Sequence, residues 1–244
     1  METIAMKVVH EDQYFMVIDD FLPESIFQQV YDFVCMRDYK HINTQDKVSR
    51  VWRVRDGFPL RSVSSFFKSY EDKSAKEAWE FPVNNIMDEF AESMDSVRER
   101  LIPYIGEARQ SWNRFSVTSW MYPRGTGLSL HEDSGPYSGA YTFFLNPRWN
   151  IHWGGQLMIL PEQAAEAING LSKNSATNYR LKKWADNEAE IAALSDIPVS
   201  MSVLPRPNRL VVMSKKAHHL VTTVNDNAGD NLRMSIAGFF ELNK

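Results

Sequence analysis

The residues with the clearest chemical potential are His131 and Asp133, in the stretch LSLHEDSGPYSGAY that begins at Leu128. Side chains at positions i and i+2 of a β-strand point to the same side, so these two could reach one point. An imidazole nitrogen and a carboxylate oxygen directed to one point are suitable ligands for a divalent metal. A histidine-x-acid triplet is nevertheless common in polar turns, so the hypothesis requires a third ligand elsewhere in the chain.

The third ligand of a two-histidine, one-carboxylate iron site must come from a strand that lies alongside the first. Of the six histidines, only His218 and His219 lie in a clear strand context, in NRLVVMSKKAHHLVTTV. Alternation along the strand puts His219 and Val221 on one face and His218 and Leu220 on the other. The residues alone leave both histidines open, because the alternation does not show which face points inward.

Two segments in the first half of the chain have the pattern of amphipathic helices. PESIFQQVYDFVCMRDY opens with Pro23 and Glu24, a favourable first helical turn. Between Ser74 and Ile105 a second helical pattern precedes Gly106, a suitable helix end. Its apolar face consists of Ile86, Phe90, Met94, Val97 and Leu101.

After Gly106 the sequence consists of short β-branched and aromatic runs separated by Gly, Pro, Asn or Asp. Such runs are typical of a β-sandwich or barrel. The segment from Pro161 to Asp196, rich in Ala, Glu, Lys and Leu, interrupts them and predicts a helical insertion. We therefore expect a single α+β domain over 1–244. Its parts are a helical part at about 20–106, a β core at about 112–240 and an insertion at about 161–196.

Composition excludes several classes of partner. The formal net charge is -4 and there is no long basic run, so neither nucleic acid nor an anionic membrane is expected. No segment approaches the roughly 20 apolar residues of a membrane span, and we expect a cytoplasmic protein. The only cysteine, Cys35, excludes an intrachain disulfide and is expected to be a small buried side chain near a helix end.

Four stretches, taken in order, resemble the iron(II)/2-oxoglutarate-dependent dioxygenases of the prolyl-hydroxylase-like branch. They are YPRGTGLSLHED, FFLNPRWNIHWGGQLMIL, RPNRLVVMSKKAHHLVTTV and NLRMSIAGFF. The resemblance covers residues 112–240, and the earlier VIDDFLPESI is also similar to the entry segment of that branch. It implies a double-stranded β-helix (jelly roll) core with N-terminal supporting helices.

The resemblance also implies a set of metal ligands. The family's HxD motif matches His131 and Asp133. Its distal histidine opens an H-x-V-x-x-V pattern, which fits a start at His219 and does not fit a start at His218. His219 is therefore the implied third ligand, and His218 remains the alternative.

A second group of residues is implied to bind the cosubstrate. The family's R-x-S motif matches Arg233 and Ser235, and a planar guanidinium can hold a carboxylate through two parallel hydrogen bonds. Tyr122 matches a tyrosine that lines the 2-oxoglutarate pocket. The chain departs from the family at Phe143, where relatives carry a further tyrosine, and Tyr141 is expected on the same face as Phe143.

The implied activity uses Fe(II), 2-oxoglutarate and O2 to hydroxylate an unactivated C–H bond of a small molecule, an amino acid or a natural-product intermediate. A prolyl or other side chain of a protein is the alternative substrate. A protein of another class, a non-catalytic jelly roll that binds a metal or a ligand, is the third interpretation. The carboxylate-binding pair Arg233 and Ser235 favours the enzyme, because a plain metal-binding jelly roll has no need of it.

Overall fold

The computed structural model describes residues 6–42, 52–68, 83–133, 135–173, 188–197 and 201–242. The helices in these ranges are α1 Glu24–Cys35, α2 Met87–Ser96, α3 Arg98–Ile105, α4 Glu162–Lys173 and α5 Glu188–Leu194. The strands are β1 Lys7–Glu11, β2 Phe15–Asp19, β3 Lys40–His41, β4 Leu60–Arg61, β5 Ser65–Lys68, β6 Arg114–Tyr122, β7 Leu128–His131, β8 Tyr137–Phe144, β9 Leu157–Ile159, β10 Met201–Val203, β11 Arg209–Ser214, β12 His219–Val221 and β13 Arg233–Glu241.

The strands form two antiparallel sheets. The larger sheet has nine strands in the order β1-β2-β11-β8-β13-β6-β4-β3, with β5 also paired to β6. The smaller sheet has the order β10-β9-β12-β7. The protein is therefore a mixed α/β structure with antiparallel sheets, as the runs of strand-forming residues after Gly106 predict.

The two faces of the large sheet have different partners. The outer face packs against α1, α2 and α3 through side chains such as Met121, Phe143 and Ile236. The inner face, with Tyr122 and Phe144, shares a second apolar cluster with the buried residues of the small sheet. Alternation along each strand assigns its side chains to one face or the other. This inner face is where any site between the sheets must lie.

The helices follow the sequence pattern with two exceptions. As predicted, α1 begins at Glu24 directly after Pro23, and it buries one apolar stripe. The predicted burial of Cys35 is wrong, because this last residue of α1 is exposed. The pattern from Ser74 to Ile105 corresponds to two helices that meet at Val97, and its part at 74–82 lies outside the described residues.

Two other segments differ in how well the sequence predicts their secondary structure. The segment between Lys40 and Tyr70 has no clear periodicity in the sequence, yet it contributes β3, β4 and β5 to the edge of the large sheet. These strands are only two to four residues long, too short for a period of two to show. The segment 161–196 contains α4 and α5, with 174–187 outside the described residues. In the described part of the chain, no helix has the length and apolar content needed to span a bilayer.

Asn208 connects the turn before α1 to the start of β11. This buried residue has a positive φ of 59°. Its side chain accepts a hydrogen bond from the Leu22 backbone N–H at 2.8 Å and donates one to the Leu22 carbonyl at 2.7 Å. We expect Asn208→Ala to lower the free energy of unfolding by about 3 kcal/mol, because it leaves both backbone groups without partners.

Urea denaturation would measure this change. Asn84→Ala is the matched control, since Asn84 has a similar φ of 57° but is exposed and its side chain bonds no buried backbone group. Asn84→Ala should lower the free energy of unfolding by only about 1 kcal/mol, the strain of an alanine in the left-handed conformation. Equal losses in the two variants would contradict the role given to the Asn208 hydrogen bonds.

Candidate functional site

Three potential metal ligands meet where strands β7 and β12 of the small sheet pair with each other. His131 ends β7, His219 begins β12, and the two residues are register partners in the antiparallel ladder. Asp133 follows β7 by two residues and reaches back to both rings. Its carboxylate lies 3.6 Å from His131 Nε2 and 3.4 Å from His219 Nε2. One ligand atom from each residue falls within a 4.8 Å cluster, a spacing that a single metal ion can bridge.

Hydrogen bonds to the backbone fix the orientation of both imidazoles. His131 Nδ1 lies 2.8 Å from the carbonyl oxygen of Ser129, and His219 Nδ1 lies 2.9 Å from that of Ala217. A carbonyl oxygen can only accept, so each Nδ1 carries the hydrogen. In the neutral rings the lone pair is then on Nε2, the atom that faces Asp133, as metal-binding histidines require.

His218 lies outside this cluster. His218 is 3% exposed and His219 is 5% exposed, so both are buried. The Nε2 of His218 instead lies 3.7 Å from the Glu132 carboxylate. The alternation in HHLVTTV thus directs the two histidines to different partners, and only His219 approaches His131 and Asp133.

The Asp133 carboxyl group lies in an environment that penalises its charge. Burial raises its pKa, the nearby His219 lowers it, and Glu132 raises it further. Burial thus disfavours the charged form of Asp133, and nearby positive charge favours it. A divalent cation between the three side chains would supply that charge.

β7 is held in place by a turn of the chain that the sequence did not single out. The Asp56 carboxylate accepts hydrogen bonds from the backbone N–H of Arg53 at 2.7 Å and from the Ser129 hydroxyl at 2.6 Å. The Asp56 carbonyl also accepts from Gly127, and the Arg53 guanidinium donates to the Leu130 carbonyl at 3.3 Å. Both turn residues are buried. This turn positions the strand that carries His131.

A buried arginine lies at the start of β13 on the inner face. Arg233 is 1% exposed, and burial lowers its pKa to about 10, so it stays cationic at neutral pH. Its Nε donates to the Gly155 carbonyl at 3.1 Å, and its Nη1 donates to the Ser235 hydroxyl at 2.8 Å. Its Nη2 is buried without a hydrogen-bond partner. A buried cation with an unused donor requires an anion, and no described carboxylate pairs with it.

Aromatic and small residues shape the space around this cation. The guanidinium carbon lies 5.0 Å from the ring centre of Tyr122 and 4.9 Å from that of Phe144. Burial raises the pKa of Tyr122, so its hydroxyl is neutral and able to donate. Gly155 has a φ of 72°, and a Cβ there would lie 3.1 Å from Arg233 Cγ. The glycine therefore leaves room for the arginine side chain in its observed position.

Phe143 and Tyr141 both lie away from this space. They share a face, as expected, but it is the outer face, where both belong to the cluster packed on the helices. The Tyr141 hydroxyl donates to the Ser116 carbonyl at 2.8 Å. The inner face of β8 presents Ala140 and Phe144 instead. The phenylalanine at position 143 consequently removes no contact from the site, contrary to the departure suggested by the sequence.

Trp52 is a further residue that sequence analysis missed. Its ring stacks on Trp120 at 5.4 Å and lies 5.9 Å from Tyr122, so it covers the inner face of β6. The only signal in the sequence was its position in an aromatic-rich polar region without periodicity.

A separate cavity of about 460 Å³ lies between α5 and the strands β7 and β12, and none of His131, Asp133 and His219 lines it.

Comparison with known proteins places the chain in a family. A family model described as the 2OG-Fe(II) oxygenase superfamily matches residues 117–241, just over half of the chain. The chain belongs to this superfamily. It is a 2-oxoglutarate-dependent dioxygenase, and its cofactor and cosubstrates are Fe(II), 2-oxoglutarate and O2. The interpretation as a non-catalytic jelly roll is therefore wrong.

Solved structures share the fold of this oxygenase at low sequence identity. A Pseudomonas putida prolyl-4-hydroxylase has 17% identity and a TM-score of 0.58, with 93% of this chain and 92% of that chain covered. A Trichoplax adhaerens prolyl hydroxylase, in complex with a hypoxia inducible factor oxygen degradation domain peptide fragment, has 16% identity and a TM-score of 0.54 over 93% and 83%. A Burkholderia pseudomallei oxidoreductase of the 2OG-Fe(II) oxygenase family has 10% identity and a TM-score of 0.52 over 93% and 84%. No curated protein sequence matches the chain.

The donor groups of the oxygenase suit the cofactor and cosubstrate of its family. Two imidazoles and one carboxylate are the ligand set of non-haem Fe(II) oxygenases. The unused, buried Nη2 of Arg233 suits one of the two carboxylates of 2-oxoglutarate.

Proposed function

We propose that the oxygenase binds Fe(II) through His131, Asp133 and His219, and that it hydroxylates a C–H bond of a small molecule, an amino acid or a natural-product intermediate. The observation that carries the proposal is the cluster of three buried or half-buried ligand atoms within 4.8 Å. Both imidazoles are held with Nε2 as the acceptor, so the site needs no change of tautomer to bind the metal.

Arg233, Ser235 and Tyr122 would hold the distal carboxylate of 2-oxoglutarate. The unpaired Nη2 of Arg233 would donate to it, and the hydroxyls of Ser235 and Tyr122 would add neutral donors. When bound, Fe(II) and 2-oxoglutarate supply the oxidising chemistry through the activation of O2. The protein would position the two reactants, and Tyr122, Phe144 and Trp52 would form an apolar wall beside them.

The same proposal includes the architecture implied by the family. The two facing antiparallel sheets would form a double-stranded β-helix, or jelly roll, over about residues 112–240. The helices before residue 106 would support its outer face, and α4 and α5 would be an insertion. Residues 1–244 would be one domain, consistent with the shared inner cluster of the two sheets.

A compact substrate is supported by the covering of the inner face. Trp52 is buried and stacks on Trp120, so its ring covers part of the inner face of β6. Hydroxylation of a protein side chain is the second candidate. It is favoured by the prolyl hydroxylases among the structural neighbours, one of them bound to a peptide fragment.

Oxygen-isotope labelling distinguishes these candidates. The protein would be incubated with Fe(II), 2-oxoglutarate and ¹⁸O₂, together with either the free amino acids or a library of proline-containing peptides. We expect one ¹⁸O atom in a product amino acid and one in succinate, with no incorporation by Asp133→Ala. Label found only in peptides would favour the second candidate, and label in neither pool would overturn both free amino acids and proline-containing peptides as substrates.

A further inference from the structure

Two cationic side chains lie opposite each other at the edge of the inner face. Arg61 of β4 pairs in register with Lys40 of β3 on one side and with Trp120 of β6 on the other. Register partners in antiparallel strands present their side chains on the same face. Trp120 stacks with Trp52 and lies 6.3 Å from Tyr122, which places it on the inner face. Arg61 and Lys40 are therefore on that face as well.

Neither cation has a partner among the described residues. Arg61 is half-buried and Lys40 is exposed, and within the part of the chain that the structure describes neither makes a hydrogen bond or an ion pair. Like charges directly opposite each other in a sheet are destabilising. The arrangement therefore carries a cost that an anion bound between the two side chains would offset.

Apart from Arg233, other arginines in or beside the same sheet are paired with carboxylates. Arg114 of β6 lies 3.0 Å from Glu241. Arg206 and Arg209, before and in β11, both lie 2.6 Å from Asp19. Arg61, at the sheet edge beside Trp120, thus differs from these arginines in having no carboxylate partner among the described residues.

The position of Arg61 suits a second anion, separate from one bound at Arg233. Arg61 is two strands away from Arg233 and two residues further along, so strand geometry puts their Cα atoms about 12 Å apart. That separation is too large for both arginines to hold the same carboxylate group. Between them lie the rings of Trp120 and Tyr122, and with Trp52, which stacks on Trp120, these rings form an apolar wall.

We propose that Arg61 and Lys40 bind the carboxylate of the substrate, and that the substrate is a free amino acid whose carbon chain lies against the stacked rings of Trp52 and Trp120. This inference rests on the proposed function and narrows its substrate class. The guanidinium of Arg61 would hold the carboxylate through paired hydrogen bonds, with Lys40 as a second charge. The substrate carboxylate would then be bound separately from that of 2-oxoglutarate.

The test compares free amino acids with their carboxamides. Succinate release with Fe(II), 2-oxoglutarate and O2 would be measured for each pair in wild type, Arg61→Gln and Lys7→Gln. Lys7 is the matched control, since it is another unpaired cation but lies in β1 at the opposite edge of the sheet. In parallel, anaerobic melting temperatures with each acid or amide would report binding without turnover.

We expect wild type and Lys7→Gln to prefer the acid of the active pair by about 10- to 100-fold in kcat/KM, the effect of hydrogen bonds to a charged group. In Arg61→Gln the ratio should fall below about threefold, mainly through KM, and the acid should no longer raise the melting temperature more than the amide does. The ratio is measured within one variant, so a partly unfolded preparation does not distort it.

Two results would overturn the inference. One is that no free amino acid stimulates succinate release by the wild type. The other is that an acid and its amide stimulate succinate release equally. If wild type still binds Fe(II) and 2-oxoglutarate together, these results reject the substrate class alone. If it does not, the proposed metal and cosubstrate sites fail as well.

Discussion

His219→Ala is expected to lose more than about a hundredfold in Fe(II) affinity and in turnover, beyond the 10- to 100-fold typical of outer partners of a metal site. The reason is the loss of one of the three ligand atoms in the cluster with His131 and Asp133. The neighbouring His218→Ala should stay within about tenfold of wild type, since His218 contacts Glu132 and lies outside the cluster. Anaerobic equilibrium dialysis against Fe(II) measures the affinities.

The comparison of adjacent histidines controls for general damage to the fold. Both side chains are almost fully buried, so both substitutions remove a similar volume from the same part of the chain. Melting temperatures of the metal-free variants would show whether they are equally stable. A larger loss of Fe(II) binding in His218→Ala than in His219→Ala would reverse the ligand assignment.

Arg233→Gln is expected to raise the KM for 2-oxoglutarate by roughly a hundredfold, with Fe(II) affinity little changed. The substitution removes a charge-assisted, paired contact to a carboxylate, worth about 3 kcal/mol. Arg233→Lys keeps the charge but loses the planar fork, so its KM should rise by only about tenfold. Steady-state succinate release at varied 2-oxoglutarate measures both values.

Arg124→Gln provides the matched control for this series. Arg124 precedes β7 in the motif YPRGTG and is exposed, whereas Arg233 is 1% exposed and has an unused donor. Its replacement should leave the KM for 2-oxoglutarate unchanged. An unchanged KM in Arg233→Gln, with Fe(II) binding intact, would show that the cosubstrate carboxylate is held elsewhere.

Much of the fold was predictable where elements are long and regular. The nine-residue strands β6 and β13 show β-branched and aromatic runs, and α1 has both a start signal and an apolar stripe. Prediction failed where a short segment is a strand only because of its place in the sheet. The strands β3 and β4 have two residues each, and they are defined only by the pairing of β4 with β6 and of β3 with β4.

The candidate site was predictable to the extent that spacing determines direction. The i, i+2 spacing of His131 and Asp133, and the alternation that separates His219 from His218, both follow from strand geometry. The choice of the inward face came from the tertiary structure. That structure buries Phe143 and Tyr141 on the outer face and brings Trp52 and Asp56 from a distant, irregular segment to the site. Such long-range packing leaves no periodic signal in the sequence.

Anaerobic visible absorbance tests the proposed metal and cosubstrate sites most directly. Fe(II) would be added to the protein first and 2-oxoglutarate second, and the charge-transfer band that reports joint binding would be recorded. We predict the band in wild type and in His218→Ala, its absence in His219→Ala, and its appearance only at much higher 2-oxoglutarate in Arg233→Gln. The absence of the band in wild-type protein that has bound Fe(II) would contradict the proposed arrangement of His131, Asp133, His219 and Arg233.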